Sequence, residues 1–107
     1  MAYYVLFDTE TTGNQDDDKV IQFGAMIVDQ KGKVEAFDEL CSSDVAIKLE
    51  AMEVHNITPD LLNGKPKAIE TNFYKKLEEL NSNENYLIAH NISFDMGMIK
   101  KEGFVNQ

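Results

Sequence analysis

Arginine is missing altogether. All ten basic residues are lysine, against nineteen Asp and Glu, and the net charge is −9. So acidic a chain does not grip nucleic acid through a broad basic face. It stays open to a nucleic-acid enzyme whose carboxylates hold divalent cations, because bound cations reverse the local sign of the field. Cysteine is nearly missing: the one cysteine, Cys41, makes no internal disulfide, which fits a reducing compartment such as the cytoplasm. No motif frames Cys41 as a nucleophile, so it reads as a small apolar filler. No apolar run approaches the ~20 residues of a membrane span. The start, Met1-Ala2-Tyr3-Tyr4, lacks the basic region and cleavage site of a signal peptide. Repeats, low-complexity tracts and linkers are absent too. At 107 residues the chain is one domain at most.

What is present is an α/β pattern. Tyr3-Tyr4-Val5-Leu6-Phe7 is a short continuous apolar run, as expected of a central strand covered on both faces. Asn14 to Asp18 follows as a mobile acidic loop; the Asp16-Asp17-Asp18 run lacks the spacing and closing Glu of an EF-hand. Val20 to Val28 reads as a second strand. A turn with Gly32 returns the chain antiparallel as a third strand, Val34 to Leu40. Glu35, Asp38 and Glu39 place that strand at an edge, where charge discourages further pairing. Leu49 to His55 is a short helix, and Thr58 is positioned to cap a turn opening with Pro59. Pro66 opens a longer helix to about Leu80, with Ile69, Phe73, Leu77 and Leu80 as its apolar stripe. Tyr86 to Ala89 is a fourth strand, and Ser93 is a good N-cap for a helix carrying Phe94, Met98 and Ile99. Strand, helix, strand is a crossover unit, so the fourth strand is expected parallel to the first and beside it. The lysine pairs, such as Lys75-Lys76 and Lys100-Lys101, read as solvated faces.

The chemistry gathers at Phe7-Asp8-Thr9-Glu10-Thr11-Thr12-Gly13. Period 2 along a strand puts Asp8 and Glu10 on one side. Two like charges at the mouth of a sheet resist joint ionisation unless a cation lies between them. An oxygen-only pair suits Mg²⁺ or Mn²⁺ rather than Zn²⁺. Strand ends in α/β sheets are where ligand sites form. Parallel neighbouring strands bring a third carboxylate, Asp95, to the same rim from the first turn of the last helix, whose N-terminus favours its ionised form.

These stretches resemble known motifs. Asp8-Thr9-Glu10-Thr11-Thr12-Gly13 is similar to the first motif of the DEDD exonucleases, and His90-Asn91-Ile92-Ser93-Phe94-Asp95 to their second. Between them, Val54-His55-Asn56-Ile57-Thr58 resembles the Val-His-Gly-Ile-Thr stretch of the DnaQ-like branch, with Asn56 where Gly is usual. That branch includes the proofreading subunits of bacterial replicative DNA polymerases. The resemblance implies a ribonuclease H-like mixed sheet with flanking helices. It implies a 3′-5′ exonuclease using two Mg²⁺ or Mn²⁺ ions roughly 4 Å apart. By the family's roles, Asp8 bridges both ions, Glu10 binds the water-activating one and Asp95 holds the other. Thr11, Thr12, Gly13 and Asn91 then cradle the terminal nucleotide. Phe94 divides evenly between flanking the terminal base and plain core. His55 divides between lining the pocket and a hydrogen-bonded structural role, and His90 reads as structural.

The family's third motif, a His or Tyr shortly before a fourth carboxylate, has no match. After Asp95 the chain offers only Lys100, Lys101, Glu102, Gly103, Phe104, Val105, Asn106 and Gln107 beyond the helix itself. Residues 1–107 therefore read as the N-terminal part of an exonuclease domain, truncated before its last strand and helices and weak by itself. The implied partner is the 3′ end of a single strand, DNA favoured over RNA, with DNA polymerase subunits as implied company. A second expectation is a non-catalytic module on the same fold, which could form a homodimer through an uncovered sheet.

Overall fold

The structure, a computed structural model, describes residues 2–105. Met1 lies outside that range, as do Asn106 and Gln107, counted above among the residues after Asp95. Four strands form one mixed sheet in the order β3-β2-β1-β4. They are β1 (Tyr4–Thr11), β2 (Val20–Val28), β3 (Val34–Leu40) and β4 (Tyr86–Ile88). β2 pairs antiparallel with β1 and β3, while β4 pairs parallel with β1, as the crossover rule requires. The helices are α1 (Leu49–His55), α2 (Asn72–Glu79) and α3 (Ile92–Lys100), with short 3₁₀ turns at Pro59–Leu62 and Ala68–Glu70.

The core lies on one face of the sheet. Val5, Phe7, Phe23, Ala25 and Ile27 meet Phe73, Tyr74 and Leu77 of α2 and Met98 and Ile99 of α3. Phe73 is the hub: its ring lies 6.0 Å from Phe7, 5.3 Å from Phe23 and 5.6 Å from Phe37, centre to centre. The other face is uncovered. Tyr4, Met26, Tyr86 and Ile88 are all exposed, and Tyr4 stacks on Tyr86 with centroids 5.3 Å apart. The expectation that the first strand is covered on both faces therefore fails. β1 alternates between buried and accessible positions, as a strand with one packed face must.

Three helix expectations shift for local reasons. α2 begins at Asn72, not Pro66, because Thr71 caps it: the Thr71 hydroxyl accepts from the Tyr74 N–H at 3.2 Å. Glu39, assigned above to edge protection, instead accepts from the first N–H groups of α2, Asn72 and Phe73, at 2.9 and 2.7 Å. Ile69 falls outside the helix and is exposed, so only Phe73, Leu77 and Leu80 form the stripe. α3 begins at Ile92 with Asn91 at its N-cap, two residues before the expected Ser93. Thr58 does precede the Pro59 turn, but its side chain makes no cap hydrogen bond.

One expectation holds, and one departure from the family pattern finds its reason. Cys41 is fully buried, its thiol pushed up to about 12 by burial and then by Glu102 and Glu39, which leaves it an inert filler. Asn56 ends α1 at φ 59°, a left-handed position that Asn tolerates better than other side chains. Its presence where Gly is usual thus keeps the turn.

Candidate active site

Asp8 and Glu10 stand on the accessible side of β1, close to its C-terminal end. The strand partner of Asp8 is Gly24, which has no side chain to crowd it. The β1–β2 register slips between Glu10 and Thr11, a bulge that turns the strand just past the carboxylates. Asp8 lines an open groove of about 300 Å³ with Leu6, Met26 and Ile88. Glu10 lines a separate cavity of about 570 Å³. The pair thus forms the ridge between two depressions.

Asp95 arrives from the helix-covered side and is almost wholly buried. Its Oδ1 accepts from the Thr9 backbone N–H at 3.1 Å and from the Thr9 hydroxyl at 2.5 Å. The third carboxylate is therefore tied to the residue lying between the other two. Burial raises the Glu10 carboxyl above its ordinary value, and the neighbouring Asp8 and Asp95 charges add to this. The three charges act on one another, yet no group of three acidic, His or Cys side chains closes around a single ion among the described residues. The donor chemistry, oxygen atoms and accumulated negative charge, fits a hard divalent cation. Of the three, Asp95 is the one whose side chain is committed to hydrogen bonds, through Thr9.

The larger cavity is lined by Glu10, Thr11, Gly13, Ala51, Val54, His55 and Phe94, among others. His55 stands at the cavity wall and is held in place there. It lines the cavity, and both ring nitrogens are engaged: Nδ1 accepts from the Ile57 N–H at 3.0 Å and Nε2 lies 3.0 Å from the Thr11 carbonyl. A carbonyl can only accept, so Nε2 carries the proton and the ring is neutral. Phe94 is half-buried against the core and part of the cavity wall. Thr12 does not line the cavity. It is fully buried, and its hydroxyl donates to Asp18 at 2.7 Å. Asn91 is exposed at the α3 N-cap and outside the cavity lining, and His90 is exposed beside it.

The loop after β1 differs from its expectation. Asp18, placed above in a mobile acidic loop, is fully buried. It accepts from Thr12, from the Gln15 N–H at 2.8 Å and from the Lys48 ammonium. Burial would raise its carboxyl, but these hydrogen bonds, Lys48 first, hold it below the ordinary value. Lys101 at the end of α3 fixes the same loop, donating to the carbonyls of Gln15 and Asp18 at 3.0 and 3.1 Å, so it is no solvated helix-face lysine. Asn14, Gln15, Lys48, Glu50 and Ala51 also line the cavity and escaped the sequence reading, while Val54 lines it from the stretch already quoted around His55. Ala51 lies one turn before His55 on α1, the one local signal for it.

A family model described as exonuclease (RNase_T) matches residues 5–106. The chain belongs to the exonuclease family. Exonucleases of this kind use divalent metal ions. The chain is 37% identical over 99 residues to a PolC-type DNA polymerase III of Clostridium perfringens, covering 92% of this chain and 7% of that one. It is 33% identical to the epsilon subunit of DNA polymerase III from Treponema pallidum, covering 92% and 45%. It is 32% identical to the 3′-5′ exonuclease DinG of Staphylococcus saprophyticus, covering 92% and 11%. The chain thus spans less than half the length of these relatives. Its fold matches E. coli Exonuclease I, solved with an oligonucleotide, at TM-score 0.73 and 22% identity over 92% of this chain and 22% of that one. Exonuclease X with 5′ overhanging duplex DNA matches at TM-score 0.66 and 26% identity, over 92% and 53%. The expected ribonuclease H-like α/β fold and the DnaQ-like resemblance are both met. Among the described residues no helix is long and apolar enough to cross a membrane.

Proposed function

We propose that this exonuclease-family chain carries the carboxylate half of a two-metal 3′-5′ exonuclease site acting on the 3′ end of single-stranded DNA. One observation supports this most: Asp95 hydrogen-bonds to Thr9, the residue between Asp8 and Glu10, so carboxylates distant in sequence share one strand end. Asp8, Glu10 and Asp95 are the residues to hold two Mg²⁺ or Mn²⁺. When bound, such ions neutralise the scissile phosphate and make water a stronger nucleophile. The chain's residues prepare the rest. Thr9 keeps Asp95 turned toward the strand. His55 holds the Thr11 carbonyl, and Thr11 and Gly13 offer backbone to a terminal nucleotide. Ala51, Val54 and Phe94 give its base an apolar wall. Hydrolysis then releases one nucleotide at a time.

Neither histidine is placed to take the proton from water: His55 is engaged at both nitrogens and His90 lies outside the cavity lining. Loss of a general base removes about 10²–10⁴ in rate. Turnover by this chain alone is therefore expected at trace level, with Mn²⁺, on a 3′-labelled single strand. Isothermal titration with Mn²⁺ is the sharper test. Binding that Glu10→Gln abolishes supports the proposal; binding unchanged in Asp8→Ala and Glu10→Gln overturns it.

A second reading has its own observation. Tyr4, Met26, Tyr86 and Ile88 leave one sheet face apolar and uncovered, as an interaction surface would be. A homodimer through that face, or a polymerase subunit seated on it, would make the chain a docking module. Light scattering after size exclusion separates the two readings: a strict monomer at high concentration removes the homodimer. The buried thiol of Cys41 is compatible with a cytoplasmic setting.

A further inference from the structure

The larger cavity holds little positive charge. Of the ten lysines in the chain, Lys48 alone lines it, beside the neutral His55 and the acidic Glu10 and Glu50. Lys48 is also unusually well placed. Its backbone N–H donates to the Thr12 carbonyl at 2.9 Å, which pins it to the end of the carboxylate strand. Its side chain runs past Gly13, where a β-carbon would strike Asp18 and come within 2.9 Å of the Lys48 stem. Its ammonium bonds to buried Asp18, whose charge is already shared with Thr12 and Gln15. A second carboxylate, Asp17, lies 3.8 Å away but is 76% exposed, and the Lys48 side chain is itself 39% exposed. An ammonium has three donors. Asp18 takes one and fixes the stem. The rest stay at the rim, where the exposed carboxylates of Asp17 and Glu50 are the competitors that a strand phosphate must displace.

We propose that Lys48, anchored by Asp18, contacts a backbone phosphate of a single strand entering this cavity. The inference rests on the reading of the cavity as the nucleotide site. It adds a residue that neither carboxylate motif contains and that charge composition pointed away from. In a chain this acidic, one immobilised cation beside the cavity contributes more to strand binding than the same charge on a mobile surface side chain.

Salt dependence separates a phosphate contact from a structural ion pair. Each neutralised phosphate on a single strand contributes a slope of about −0.7 to log K against log salt. Binding of a fluorescently labelled oligothymidine, measured with Ca²⁺ in place of Mg²⁺ across a potassium chloride series, reads that slope. Lys48→Gln is expected to flatten it by about 0.7, and Lys48→Arg to retain it. Asp18→Asn alone is expected to keep the slope while lowering thermal stability. Lys48→Gln leaves Asp18 buried and short of a partner, so the double variant Asp18→Asn/Lys48→Gln carries the test if the single one does not fold. A folded Lys48→Gln or double variant with the unsubstituted slope overturns the phosphate contact and leaves the nucleotide site standing. An unsubstituted chain that binds no oligothymidine at any salt overturns both.

Discussion

The two faces of β1 divide the labour of this molecule. Val5, Phe7 and Thr9 point toward α2 and α3 and are buried; Tyr4, Leu6, Asp8 and Glu10 point the other way and stay accessible to differing degrees. The packed face offers fixed geometry, including the hydroxyl and amide that hold Asp95. The open face offers water and ions access to the Asp8 and Glu10 carboxylates. A charge on the packed face would have to be paired or hydrogen-bonded, as Asp95 and Asp18 are. Asp8 needs no such help. One strand thus supplies both the rigid support and the reactive surface, because its side chains alternate.

That contrast can be broken most directly at Phe73. Phe73→Ala removes the ring that joins three other aromatic residues on the packed face and is expected to cost about 3–5 kcal/mol in urea unfolding. A loss below ~1 kcal/mol would mean the core is organised elsewhere. Gly13→Ala comes next. Its new methyl meets the carboxylate of Asp18, which three donors hold still, so a loss of about 1–3 kcal/mol is expected. On the open face, Met26→Lys should change stability by no more than ~0.5 kcal/mol; a larger loss would show that this face is covered in solution.

The smallest effect has the opposite sign. Burial, with Asp8 and Asp95 nearby, holds the Glu10 carboxyl above its ordinary value. As pH rises through that range the folded chain keeps a proton that the unfolded chain has lost, so stability falls. Glu10→Gln is therefore expected to raise Tm modestly at neutral pH in chelator, with the gain vanishing once pH drops below the ordinary carboxylate range. Adding Mn²⁺ should reverse the order, since an ion bound only by the folded, unsubstituted chain stabilises it by mass action. A Glu10→Gln variant less stable than its parent in chelator would contradict the strain assigned to the pair.

Much of this was legible in the residues. The antiparallel return of β3 on β2, the parallel β4 beside β1, the short α1 and the Asp8/Glu10 pair all follow from periodicity, turn residues and the crossover rule, whereas the pairing of β1 with β2 came only with the structure. The misses share a cause. Pro66 promised a helix start, but the capping hydroxyl of Thr71 and the carboxylate of Glu39, from a strand distant in sequence, set it at Asn72. Three consecutive aspartates look like a solvated loop, and nothing local says that the third meets Lys48 and disappears from solvent. The continuous apolar run of β1 hid the fact that only one side is packed, since hydrophobicity marks what can be buried and not what is.

Sequence by itself determined the local elements, the sign of the charge, and the carboxylates that could face one way, because these depend on neighbours a few positions apart. Only the tertiary structure decided that Asp95 reaches Thr9, that His55 is neutral and engaged, and that Lys48 stands at the cavity rim. Each of those depends on a partner far along the chain, and pairwise contacts at that range carry no periodic signature.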